Sequence, residues 1–425
     1  MNRRYFISSL AASAATSVVA ASPTIAGLAG RRRSAIVTIK SVALANFEGR
    51  FHKFVAMNSY DRVPKGHTYP QTLVRIATDQ GIEGVGVMGY SAANAEFHQS
   101  LKSLIGANPL ELYEMKESRI VGRSPGFADL LSRYRFLDGA LMDLIGKLSG
   151  KPVWQLIGKS ARDRVEVYDG TLYFSDIWFR DRGVRAVVEE AEEAQKKGYR
   201  GIKLKLGRGW RWMDKEEGLR RDIEVVRAVR KAVGPQMKLM ADANNGYQKD
   251  PERAWRLLAE TADANLYLIE EIFPEDVQQY TDLRAKMHQA GMKTLIADGE
   301  NASNVAMFKP YLEPRRLMDI LQMDIRTGGL LENLTLARMG EAAGAVSIPH
   351  NWGSQVGGLM GLHLAKAVPN VIAAEDDRST CDLIIAEGYE FRDGTYGLPE
   401  KPGLSIRVDE DVYKLKCKAS ETLIN

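Results

Sequence analysis

From about residue 165 the chain repeats one unit, a short apolar run of strand character followed by an amphipathic stretch of helix length. The strands read near 165–170, 201–206, 237–242, 266–271, 293–298, 320–324, 345–349 and 371–375, so successive starts fall 25 to 36 residues apart. Parallel strands need a crossover of a dozen or more residues between them, and a helix fills that interval. Eight such units predict a closed (β/α) barrel. The competing doubly wound sheet carries G-x-G-x-x-G after its first strand, and no such run follows the first strand here.

The stretch ahead of the barrel obeys a different rule. Residues 34–100 read as strands with a Gly-marked turn at Asp79-Gln80-Gly81, and residues 101–158 read as helical. Ala140, Leu141, Leu144, Ile145 and Leu148 recur at helical spacing, and Gly150-Lys151-Pro152 supplies a stop. The expected division is a leader over 1–30, an α+β domain over 34–160, a barrel over 163–390, and a C-terminal segment, 391–425, that returns to the first domain. A length of 425 residues suits a barrel with one accessory domain.

The leader is legible as an address. Arg3-Arg4-Tyr5-Phe6-Ile7 precedes uncharged small and apolar residues up to Ala26, with cleavage options at Pro23-Thr24-Ile25-Ala26. This order is that of a twin-arginine signal peptide and implies a periplasmic protein with no stable membrane anchor after cleavage. The 58 basic and 54 acidic residues leave a net charge of +4, which excludes whole-surface nucleic-acid binding. Two cysteines, Cys381 and Cys417, make neither a disulfide framework nor a paired metal motif.

Barrel enzymes place their chemistry at the C-terminal ends of the strands. The second strand, Ile202-Lys203-Leu204-Lys205-Leu206, alternates so that both lysines face inward while the aliphatic residues face the helices. Inward lysines need acidic groups or ligand oxygens to meet them. The third, fourth and fifth strands finish with Asp242, Glu270 and Glu300. Carboxylates so clustered raise one another's pKa unless a cation neutralises them, and an all-oxygen set with open positions suits Mg²⁺. The fourth strand carries two acids in succession, Glu270-Glu271; Glu270 is taken as the ligand with Glu271 beside it. The sixth and seventh strands bring Asp324 towards His350, a pairing that makes the imidazole a usable acid or base. The eighth ends in Glu375-Asp376.

Together, Lys203-x-Lys205, Asp242, Glu270, Glu300, Asp324 and His350 resemble the enolase superfamily in its mandelate racemase subgroup. The resemblance spans nearly all of the chain beyond the leader. It implies an α/β fold, a modified (β/α)7β TIM-type barrel under an α+β capping domain. It further implies that Asp242, Glu270 and Glu300 bind Mg²⁺, that Lys205 is a base on one face of the substrate, and that Lys203 holds the substrate carboxylate. Asp324–His350 would act on the other face, with Glu375 also at the carboxylate. The implied reaction is removal of the proton alpha to a carboxylate, leading to dehydration of an acid sugar to a 2-keto-3-deoxy acid. Epimerisation, racemisation or cycloisomerisation by the same constellation is the alternative, and a non-catalytic sugar-acid-binding protein the minor one. Asn244, Asn301, Asn351, Tyr60, His67 and Trp352 are the expected contacts to the rest of the substrate. We expect a homo-oligomer acting on a small-molecule carboxylate.

Overall fold

In the computed structural model, which describes residues 36–89 and 94–425, three long strands come first. They are β1 (Ile39–Val55), β2 (Gly66–Thr78) and β3 (Glu83–Gly89), and they pair as an antiparallel meander. The expected leader lies outside the described residues. The helix Leu137–Ser149 lies against β3 at backbone distance. A Cβ on Gly84 would stand 2.1 Å from the Ala140 carbonyl oxygen, and one on Gly86 2.6 Å from the Ala140 nitrogen. Glycine is required at both positions for this close approach. A small hairpin, β4 (Tyr113–Lys116) with β5 (Arg119–Arg123), completes the region.

The barrel strands are β6 (Arg164–Leu172), β7 (Gly201–Lys205), β8 (Lys238–Asp242), β9 (Leu268–Glu270), β10 (Leu295–Asp298), β11 (Ile320–Leu321), β12 (Val346–Ser347) and β13 (Ala374–Asp376). They pair in parallel from β6 through to β12, β13 pairs with β6, and a bridge from Ser347 to Val371 closes the ring. The helices between them turn an apolar stripe inward. In Lys215–Val233 the buried set includes Leu219, Ile223, Val226, Val229 and Val233, three or four residues apart, and Glu216, Glu217 and Arg230, Lys231 match the helix dipole at the two ends. Asp250 caps the helix Pro251–Glu260 through the Arg253 amide, with proline at the first position.

The C-terminal segment divides between two places. β14 (Ile384–Ala386) pairs with β17 (Ile406–Val408), and β18 (Thr422–Ile424) joins β1 in the first sheet. The hairpin β15 (Glu390–Arg392) and β16 (Thr395–Gly397) instead adds to β6 of the barrel, which corrects the expectation that all of 391–425 returns to the first domain. The physical reason is that β6 starts three residues before its pairing with β13, and β16 satisfies the backbone groups of Arg164–Glu166 left over. Residues 37–425 form one compact unit. Among the described residues no helix is long and apolar enough to cross a membrane.

Candidate active site

Inside the ring, Tyr168, Met240, Leu268, Ala297, Ile320, Ile348 and Ala373 pack as an apolar floor. Side chains alternate along an extended chain, so a step of two residues returns to the same face. From Met240, Leu268, Ile320, Ile348 and Ala373 that step leads to Asp242, Glu270, Gln322, His350 and Glu375. The polar layer is thus stacked on the apolar one by the strand period. Register sets Lys205 beside Asp242 and Asp242 beside Glu270.

Lys203 is fully buried. Its Nζ donates to Glu270 Oε1 at 3.0 Å and Oε2 at 2.8 Å, and lies 2.7 Å from Glu375 Oε1. Lys205 Nζ donates to Asp242 and stands 5.1 Å over the Tyr173 ring. Gln322 Nε2 donates to Glu270 Oε2 at 2.8 Å. A Cβ on Gly170 of β6 would lie 2.5 Å from Glu375 Oε1, so glycine keeps room for a carboxylate that Lys203 prevents from moving.

Across the ring, Asp324 caps the helix Ile325–Ala342, accepting from the Arg326 and Thr327 amides at 2.9 Å each. Its Oδ2 accepts from the Arg326 guanidinium at 2.8 and 3.0 Å and from His350 Nδ1 at 2.8 Å. Strand six is shorter than the sequence implies, because this helix cap takes over at Asp324, and strand seven keeps only Val346–Ser347. Asp324 is therefore both cap and imidazole partner. The other ring nitrogen, Nε2, stands 3.0 Å from Glu300 Oε2.

These groups hold opposite charges against burial. Burial opposes the ammonium of Lys205, yet Asp242 outweighs it and the group sits well above the ordinary lysine value; Glu270 and Glu375 do the same for Lys203. Burial pushes the Glu270 carboxyl up to about 7, with Lys203 opposing and Asp242 adding to the rise. Burial and the nearby Glu300 lift Glu271 well above the carboxylate range. Burial disfavours charge on His350, but Glu300 and the Asp324 bond hold it up at about 9. Burial would also raise Asp324, yet Arg326 and His350 hold it well below its usual value.

One oxygen from each of Asp242, Glu270 and Glu300 lies within 4.8 Å of the other two. Glu300 Oε2 is buried and, although it faces His350 Nε2 at 3.0 Å, makes no hydrogen bond among the described residues. Crowded carboxylates and an orphaned carboxylate oxygen fit a hard divalent cation. A second group, His52, Asp169 and Glu193, meets the same distance, but Arg378 bonds Asp169 at 3.0 Å and Glu193 at 2.6 and 3.0 Å, and none of its three residues lines the cavity described below.

A cavity of about 370 Å³ opens above the polar layer. Lys205, Glu300, Asn301, Asp324, His350, Tyr60 and Trp352 line it. Trp352 is stacked on Phe51 at 4.8 Å between ring centres and packs on Tyr173 at 4.8 Å. Three of the expected substrate contacts lie elsewhere. His67 is exposed near the start of β2, edge-on to Phe54 at 5.4 Å. Asn244 is buried behind the acids, its amide donating to Glu271 at 3.1 Å, in a left-handed turn at φ 42°. Asn351 braces Glu375 through its backbone N–H at 3.1 Å. Lys203 and Glu375 lie outside the lining too, because they neutralise each other below it. The sequence reading did not name Gln322, Gly170, Tyr173, Arg326, Lys65 or Arg135. The alternation that marks the two lysines also marks Gln322, two residues before Asp324; Lys65 and Arg135 come from the first domain and carry no local signal.

The sequence profile of the family described as Enolase C-terminal domain-like matches residues 186–412, more than half of the chain. A D-xylonate dehydratase of Haloferax volcanii is 28% identical over 378 residues, spanning 84% of this chain and 88% of that protein. The crystal structure of a galacturonate dehydratase from Geobacillus sp., complexed with D-galacturonate and 5-keto-4-deoxy-D-galacturonate, superposes with a TM-score of 0.80 at 29% identity, covering 92% of this chain and 99% of that one. A mandelate racemase/muconate lactonizing protein from Geobacillus sp. Y412MC10, complexed with magnesium and tartrate, gives 0.77 at 30% identity over 90% and 95%.

Proposed function

Since the chain belongs to the Enolase C-terminal domain-like family of the mandelate racemase/enolase superfamily, we propose that it is an Mg²⁺-dependent acid-sugar dehydratase. The observation that carries this reading is that Lys205 and His350, from strands three apart one way round the ring and five the other, line one cavity beside an acid triad. Asp242, Glu270 and Glu300 would hold Mg²⁺. Bound at these oxygens, the ion supplies charge stabilisation for the substrate carboxylate and takes up the Asp242 charge that otherwise keeps Lys205 protonated.

The remaining chemistry belongs to side chains. Lys205 Nζ removes the alpha proton. With the Glu300 charge shared with the ion, the Asp324 bond and Glu375 still favour a charged His350, so its Nε2 delivers a proton to the beta hydroxyl from the other side. The alpha carbon's electron pair forms the double bond as water leaves, and the enol becomes a 2-keto-3-deoxy acid. Asp324 fixes the ring with Nδ1 as donor and Nε2 turned to the cavity. A proton returned to the alpha carbon by His350 would instead give the epimer, the second reading this two-sided arrangement supports.

Turnover of an acid-sugar library in D₂O with Mg²⁺ separates the two. Dehydration gives a product lighter by one water with deuterium at carbon 3; epimerisation gives the substrate mass plus one deuterium at carbon 2. Chelation abolishes turnover and Mg²⁺ restores it. Full activity of rigorously metal-free enzyme excludes the mechanism. We further propose export by the twin-arginine route, on the strength of Arg3-Arg4; exchange of both for lysine should retain a reporter fusion of residues 1–30 in the cytoplasm.

A further inference from the structure

Five side chains that can carry positive charge line the cavity: Lys65, Arg135, Lys205, Arg326 and His350. Four have a carboxylate partner. Lys65 donates to Asp61 at 2.8 Å, Lys205 to Asp242, Arg326 to Asp324 at 2.8 and 3.0 Å, and His350 stands between Asp324 and Glu300. Arg135 has none among the described residues. One of its terminal nitrogens donates to the backbone carbonyl of Ser303, which also lines the cavity, and its Nε is buried with no acceptor.

The backbone at this residue is held firmly. The Arg135 carbonyl accepts from the Asp138 amide at 3.0 Å. It is also pressed on Gly329, where a Cβ would lie 2.3 Å away and φ is 74°, so only glycine is accommodated. Arg135 therefore enters the cavity from the first domain on a fixed base. A half-buried guanidinium with an unsatisfied N–H and no counter-ion costs free energy that an anion would offset. Its planar fork matches a carboxylate.

We propose that Arg135 receives a second carboxylate of the substrate, so that the substrate class is a sugar dicarboxylate, oxidised at both ends. This assignment rests on the dehydratase reading above and places one carboxylate at the acid triad and the other at Arg135. Lys65 and Arg326 add positive potential to the same cavity while remaining tied to their own acids. Arg135 is thus a specificity residue that takes no part in the proton transfers at Lys205 and His350.

The test compares kcat/KM for six-carbon aldarates and for the matching aldonates, which differ only in having a hydroxymethyl group at the far end. The wild-type enzyme should favour the diacid by roughly 10–100-fold, the size of a hydrogen bond to a charged group. Arg135→Gln should remove that preference, mainly through KM, and Arg135→Lys should restore part of it, with melting temperature confirming that each variant is folded. Equal or better turnover of the aldonates, better turnover of aldonates phosphorylated at the far end, or an unchanged preference in Arg135→Gln overturns the assignment. If the glutamine variant does not fold, the wild-type preference alone decides. Turnover of neither sugar-acid set overturns the dehydratase reading and this assignment with it, whereas turnover of monoacids alone overturns only the assignment.

Discussion

His350 and His363 are both buried, and their surroundings drive them in opposite directions. His350 stands at the barrel mouth among Glu300, Asp324 and Glu375, and its pKa is held at about 9. His363 lies in the helix Gln355–Ala367, at the seam with the helix Val153–Ile157, and burial with Lys366 nearby pushes it down to about 3. Its Nδ1 accepts from the Trp154 amide at 3.1 Å, and its Nε2 bonds the Tyr389 hydroxyl at 2.7 Å, which itself donates to the Leu404 carbonyl. Only a neutral ring with the proton on Nε2 satisfies that chain. Burial alone makes an imidazole neutral and structural; a ring of carboxylates is needed to keep one charged and able to deliver a proton.

The largest effect that sharpens this contrast is chemical. His350→Asn should lower dehydration by roughly 10²–10⁴, far more than the stability it loses can explain, with circular dichroism confirming the fold. Exchange of the alpha proton with D₂O should survive through Lys205, and disappear in Lys205→Met. Exchange that survives in Lys205→Met and vanishes in His350→Asn would reverse the assignment of base and acid. The next effect is one of stability. His363→Phe orphans the Trp154 amide and should cost about 1–3 kcal/mol while kcat stays near that of the wild type. A large loss of kcat at unchanged stability would erase the distinction between the two regions.

The same contrast explains what could be read from the sequence. The eight strands were visible because each is a short apolar run, and Asp242, Glu270, His350 and Glu375 because each follows a floor residue by one strand step. That rule is local. Asp324 is found by the same step only through Gln322, and the helix cap it forms explains why its strand ends early. The roles of Asn244 and Asn351 were misread because proximity to a ligand or acid in sequence does not say on which side of the carboxylate an amide falls. The Asn244 side chain falls behind and donates to Glu271, while Asn351 reaches Glu375 through its backbone N–H and turns its side-chain amide to the Ser354 carbonyl. Arg135 and Lys65 depend on where the first domain meets the barrel, a tertiary fact with no periodicity. The seam role of His363 was equally hidden, since its partners Trp154 and Tyr389 come from distant segments.

The effect that is smallest at any one pH is also the most discriminating, because the two histidines should bend the stability curve at opposite ends. Both rings titrate near 6.5 in the unfolded chain. Folded His363 has a depressed pKa of about 3, so between pH 6.5 and 3 the unfolded state binds the extra proton. Stability then falls as pH drops, by up to about 1.4 kcal/mol per pH unit from this ring. Folded His350 has a raised pKa of about 9, so its contribution is complete below pH 6.5 and is lost as pH rises through 9. Melting temperature against pH for the wild type, His363→Phe and His350→Asn reads both limbs. His363→Phe should flatten the acid limb and leave the alkaline one, and His350→Asn should do the converse. Carboxylates away from both rings titrate alike in all three proteins and cancel in the differences, whereas Asp324 and Glu375 lose the His350 charge in His350→Asn and titrate higher there. An acid limb equally steep in His363→Phe would mean that the seam tolerates a charged imidazole. The two sites would then differ in their partners but not in the charge those partners select.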